Sequence, residues 1–128
     1  MKGVLDIPPE LSEMQAWVLS GLGEVSDEIE QALASQVPTV AELCRHVERF
    51  RGKMLRPILV LVAGAATGQK TSEPASEDLR KLAAVVEMVH MATLVHDDVL
   101  DEAEIRRRAQ TINDRSGNES AVLLGDYL

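Results

Sequence analysis

Apolar side chains return at Leu11, Trp17/Val18, Leu22, Val25, Ile29 and Leu33, a spacing that gathers them on one stripe of a helix. It predicts a first helix from about Glu10 to about Ser35, after the Pro8-Pro9 pair. Gly21 and Gly23 fall inside this helix, each costing about 1 kcal/mol relative to alanine, so the helix has room to bend there. Val37-Pro38 ends the segment. Thr39 and Glu42 have capping-box spacing, in which hydroxyl and carboxylate each satisfy an unpaired backbone donor, and so predict a second helix from Val40 through Leu43, Val47 and Phe50 to Gly52. A third helix opens near Pro57, whose ring suits a first turn, and ends by Gly68. Its stretch Ile58 to Ala66 falls far below the roughly 20 residues of a bilayer span and reads as a buried helix.

The polar, proline-containing stretch Gln69 to Glu77 predicts a surface loop leading to a long fourth helix, from about Asp78 to about Ala103. Thr111 to Asn118 has the Asn, Asp, Ser and Gly of a loop, and Glu119 to Leu128 resumes a helical pattern. No stretch alternates as a half-buried strand does, and no internal repeat or second domain is visible. The expected fold is an all-α helical bundle built as one domain.

Composition sharpens this picture. The chain has 128 residues, of which 45% are hydrophobic but only 2% aromatic, so its single core must be packed from Leu, Val, Ala, Ile and Met. A formal net charge of −8 argues against coating nucleic acid or anionic lipid, while a local arginine cluster can still bind a phosphate. The one cysteine, Cys44, has no internal disulfide partner and lies on the apolar side of the second helix, where it reads as core. Nothing at the N-terminus resembles a signal peptide, which makes cytoplasmic residence the expectation.

The fourth helix carries the chemistry. Asp97 and Asp101 stand four residues apart, which places both carboxylates on one face about 6 Å apart along the axis, with Asp98 between them. Such a pair fits a hard divalent cation: Mg²⁺ takes one or two carboxylates and keeps its other positions for water and phosphate oxygens. Alone, the pattern reads more readily as a solvated acidic face than as a metal site. Cations lie on both sides of it. Arg106, Arg107 and Arg108 follow, and Lys53 and Arg56 sit in Gly52-Lys53-Met54-Leu55-Arg56-Pro57, a turn into a helix start where backbone donors also favour an anion.

In order and spacing, Gly52-Lys53 with Arg56-Pro57, Glu87-Met88-Val89-His90, His96-Asp97-Asp98-Val99-Leu100-Asp101-Glu102, Arg106-Arg107, Asn118 and Leu124-Gly125-Asp126-Tyr127-Leu128 resemble the trans-prenyl diphosphate synthase family. Class I terpene cyclases share only the aspartate motif. The resemblance implies the N-terminal part of the isoprenoid synthase fold and a magnesium-dependent prenyltransferase that joins an allylic diphosphate to isopentenyl diphosphate. It implies that Asp97 and Asp101 coordinate Mg²⁺ with Asp98 in support, that Arg106 binds the allylic diphosphate, and that Lys53, Arg56, His90 and Arg107 hold isopentenyl diphosphate. Apart from the resemblance, His90 reads as a buried structural histidine. Ala92 and Thr93, just before the aspartates, occupy positions where relatives place a large ring to stop chain growth; their small size resembles long-chain synthases. Arg108 departs from the family, which often has glycine there.

The resemblance also implies a second aspartate-rich helix that residues 1–128 do not contain, so the chain is expected to be the N-terminal half of such an enzyme and inactive alone. The alternative is a short diphosphate-binding subunit that acts with a partner. The apolar run Val122 to Leu128 leads to the expectation of a homo-oligomer.

Overall fold

The computed structural model describes residues 8–128. The first seven positions of the stretch read for a signal peptide lie outside the described residues. In chain order the elements are α1 (Pro9–Leu33), α2 (Pro38–Val47) running into a 3₁₀ turn (Glu48–Phe50), α3 (Leu55–Ala66), α4 (Glu77–Leu100), strands β1 (Ile105–Arg106) and β2 (Ala109–Gln110), α5 (Ile112–Ser116) and α6 (Asn118–Tyr127).

The bundle is arranged around α4, which packs against α1, α3, α5 and α6. One core joins Val25, Ile29 and Leu33 of α1 to Val47, Phe50, Met91 and Val95. A second brings Trp17 and Val18 against Leu61 of α3 and Ala75 of the loop before α4. The Trp17 indole donates to the Glu73 carbonyl at 2.8 Å, which ties that loop to α1. Cys44 is buried, as its position on α2 predicts.

Several expectations need correction. Leu11 continues the α1 stripe in sequence but is 58% exposed and belongs to neither core. The helix runs unbroken through Gly21 and Gly23, and a Cβ on Gly21 would lie 3.1 Å from Leu61, so this glycine serves close packing of α3 on α1. Pro38 begins α2 instead of ending α1. The N-cap is Val37 with no side-chain cap, so Thr39 and Glu42 form no capping box; Glu42 reaches across to Arg115 instead. The third helix starts at Leu55, two residues before the expected proline, and is buried on one side only: Leu59 and Val62 are exposed.

The fourth helix stops at Leu100, not Ala103. Glu102 adopts φ +50°, its N–H bonds Val99 O and the Ala103 N–H bonds Asp98 O, the pair of reversed bonds that closes a helix end. The chain then forms a two-stranded antiparallel hairpin, Ile105 opposite Gln110 and Arg106 opposite Ala109, where no strand is expected from the sequence. Its short strands could show no alternation. Within Thr111 to Asn118, read as a loop, lies α5: the Thr111 hydroxyl oxygen caps it by accepting from the Asp114 N–H at 3.2 Å. The Thr111/Asp114 spacing was the available signal for that helix.

Candidate functional site

The hairpin folds Arg106 and Arg107 back toward the helix starts and ends that carry the other candidate residues. Its loop is the pair Arg107-Arg108, both at positive φ (48° and 64°), the conformation of a tight two-residue hairpin turn that favours Asn and Gly. The departure of Arg108 from glycine therefore falls on a residue held in the left-handed region.

Arg107 returns to the Gly52-Lys53 turn. A Cβ on Gly52 would meet Arg107 Nη1 at 2.5 Å, Nη2 at 2.6 Å and Cζ at 2.9 Å, so the guanidinium turns the edge that carries its two Nη atoms to the glycine, and only the missing side chain admits it. Met54, at φ +56°, turns the chain into α3, and the Ile58 N–H makes the first helical bond to Met54 O. Lys53 and Arg56 are exposed beside this helix start. His90 on α4 is half-buried, and its imidazole is pushed below the ordinary histidine range. Burial is the main cause, then the positive charge of Arg56; Glu87 opposes them, and Arg107 and Arg106 add to them. Arg56, Arg107 and His90 therefore share one electrostatic neighbourhood.

The aspartates divide into two kinds. Asp98 is 1% exposed, and both its oxygens accept from Arg106: Nε at 3.0 Å to each, and Nη2 at 2.7 Å to Oδ1. The bond to Asp98, with help from Asp97 and Asp101, holds Arg106 further toward its charged form. Asp97 and Asp101 are exposed, and neither forms an ion pair among the described residues. Asp101 is the residue that caps α4, and its N–H bonds Asp97 O at 2.8 Å, so the pair keeps helical spacing at the helix end. Asp98 does not join them: it anchors the hairpin. Two free hard-oxygen donors fit Mg²⁺, which completes its shell with water and phosphate. No group of three or more His, Cys, Asp or Glu suited to a metal occurs among the described residues.

Other groups brace this arrangement that the sequence did not single out. The Asn113 amide donates to Ala103 O at 2.9 Å and Asp98 O at 3.3 Å, and the Thr111 hydroxyl donates to Ala103 O at 2.7 Å. His96 Nε2 donates to Val122 O at 3.1 Å directly over Gly125, joining α4 to α6. Below the aspartates on α4, Ala92 is half-buried and Thr93 exposed, its hydroxyl donating to His90 O at 2.7 Å.

The sequence profile of the polyprenyl synthetase family matches residues 37–128. The chain belongs to this family. It is 44% identical over 100 residues to the all-trans-nonaprenyl-diphosphate synthase (geranyl-diphosphate specific) of Rhodobacter capsulatus, covering 78% of this chain and 30% of that protein. It is 37% identical over 119 residues to heptaprenyl diphosphate synthase component 2 of Geobacillus stearothermophilus, covering 93% and 36%. The polyprenyl synthase of Caulobacter crescentus CB15, crystallised with calcium and isoprenyl diphosphate, superimposes with a TM-score of 0.79 at 30% identity, over 91% of this chain and 34% of that one. The chain thus spans about a third of the length of these relatives. No described helix is long and apolar enough to cross a membrane.

Proposed function

We propose that this chain forms the diphosphate-holding and metal-holding wall of a long-chain trans-prenyl diphosphate synthase. The observation that carries the reading is the seating of the Arg107 guanidinium on Gly52, which brings it into the same electrostatic neighbourhood as Arg56 and His90. Lys53, Arg56, His90 and Arg107 hold the diphosphate of isopentenyl diphosphate through charge-assisted bonds. Arg106, aimed by Asp98, offers its remaining donors to the allylic diphosphate. Mg²⁺ held by Asp97 and Asp101 would offset the charge that gathers on the allylic diphosphate as its C–O bond breaks. The chain's own contribution is alignment: the alkene carbon of isopentenyl diphosphate must face the allylic carbon as the new C–C bond forms, diphosphate leaves and a proton is lost. Below the metal pair Thr93, Val89 and Val85 follow at one-turn spacing, all exposed and none with a large ring, which favours a long product.

A second reading rests on the name of one relative, component 2 of a heptaprenyl synthase: the chain works with a different partner subunit rather than a second copy of itself. Two measurements test the proposal. Calorimetry on the 128-residue chain should detect binding of isopentenyl diphosphate that Arg107→Ala abolishes. In a polypeptide completed by the remaining two thirds of the Rhodobacter capsulatus relative, Asp97→Ala or Asp101→Ala should collapse isopentenyl transfer. Near-normal turnover in both variants would remove the metal assignment. Mass in solution, with and without candidate partners, separates homo-oligomer from hetero-oligomer.

A further inference from the structure

The return strand of the arginine hairpin is tied to α2 through one buried histidine. His46 is 5% exposed and contacts Gln110 O through Nε2 at 2.5 Å. Its other nitrogen, Nδ1, receives Arg115 Nη1 at 3.1 Å. A guanidinium can only donate, so Nδ1 is the acceptor, and the ring proton sits on Nε2, aimed at the Gln110 carbonyl. Arg115 is fixed in turn by its ion pair with Glu42, one turn before His46 on α2. The Phe50 ring and the imidazole pack edge to face, nearly perpendicular at 80° with centroids 5.7 Å apart, which helps fix the plane of the imidazole. Glu42, Arg115 and His46 thus form a relay ending on the backbone of Gln110, the residue paired with Ile105 next to Arg106.

We infer that His46 is a positioning residue for diphosphate binding: through Gln110 it fixes the hairpin on which Arg106 and Arg107 are presented. The inference rests on the reading of those arginines as diphosphate contacts. On the α4 side the hairpin is held by Asp98, Asn113 and Thr111; on the α2 side His46 bonds its backbone directly. Without that bond the hairpin keeps its α4 anchor and gains freedom on the other edge, which blurs where Arg107 sits over Gly52.

The test uses the 128-residue chain with three substitutions. His46→Phe fills the site but makes neither bond. Arg115→Met leaves the imidazole in place and removes the donor that sets its tautomer. His46→Gln presents an amide oxygen and N–H at nearly the spacing of the two ring nitrogens. Amide hydrogen exchange is measured at residues 105–111, and inorganic diphosphate binding by calorimetry. His46→Phe and Arg115→Met should speed exchange of the hairpin about five-fold, the equivalent of one net hydrogen bond, and weaken diphosphate by a similar factor. Exchange in α1 and α3 should not change, and His46→Gln should restore both readouts. Unchanged hairpin exchange in the first two variants, or no recovery in His46→Gln, would overturn the inference. A hairpin that loosens in a chain that ignores diphosphate would uphold the tether and overturn the diphosphate reading instead.

Discussion

The Asp98–Arg106 pair makes a graded prediction, because its two members are buried to different depths. Removing one partner of a buried ion pair costs about 3–5 kcal/mol, mostly for the charge left behind. In Arg106→Met the residue left behind is Asp98, 1% exposed, and nothing in its surroundings replaces the three bonds it loses. That variant should lose about 3–5 kcal/mol, a large share of the roughly 5–15 kcal/mol that holds a small domain. In Asp98→Asn the guanidinium is left instead. Its side chain is 26% exposed and can recruit water, and the amide oxygen still accepts one bond, so the loss should be nearer to about 1.5–2.5 kcal/mol. Urea unfolding followed by circular dichroism gives both numbers, with an unchanged denaturant slope as the check that only stability moved. The double variant should cost less than the sum of the two, since the second change removes a group already stranded. If Asp98→Asn costs as much as Arg106→Met, or either costs less than about 0.5 kcal/mol, the assignment of Asp98 as a buried anchor fails.

Three further outcomes follow from the same geometry. Because burial and Arg56 depress the His90 pKa in the fold, the folded state binds fewer protons than the unfolded one in acid. His90's contribution to stability should be complete above about pH 6.5 and lost as pH falls through the folded value, so His90→Gln should flatten the acid limb of a stability-against-pH curve; identical limbs would refute this. Arg108→Gly should raise stability by about 0.5–1 kcal/mol by relieving φ +64°, read from the urea midpoint. Gly52→Ala should displace Arg107 and weaken diphosphate binding about ten-fold in calorimetry while costing under about 1 kcal/mol of stability, since the clash is with a mobile side-chain end. Unchanged diphosphate affinity would remove Arg107 from diphosphate binding.

What was legible in the sequence was whatever repeats with helical period. The stripe through Val25, Ile29 and Leu33 identifies α1 and its buried face, and the apolar run of α4 gives that helix to within three residues at its C-terminal end. What was not legible depends on contacts distant in the chain. Leu11 fits the stripe, yet it stays exposed; Glu42 has capping-box spacing, yet Arg115, on α5, claims it. The hairpin escaped because two-residue strands are too short to alternate, and its turn is built from arginines where glycine or asparagine would have announced it. The site residues were named from the resemblance of their motifs to a family, but their division of labour was not: Asp97, Asp98 and Asp101 look alike in sequence, and only the return of Arg106 separates the buried anchor from the exposed pair.

Backbone polarity supports the same division of labour, independently of the side chains. A helix carries partial positive charge at its start and partial negative charge at its end, each felt within about one turn. Lys53 and Arg56 stand at the start of α3, where unpaired N–H groups add to their attraction for an anion. Asp97 and Asp101 stand at the end of α4, where the negative end of the helix dipole favours a cation. The hairpin with Arg106 and Arg107 links these two helix ends. In a chain of net charge −8, diphosphate needs such a locally positive pole, and a divalent cation needs a negative one beside it. Moving the aspartates to the start of a helix, or the Gly-Lys turn to the end of one, would set each ligand against the dipole. The order in which α3 begins and α4 ends is therefore part of the site's chemistry as well as of its fold.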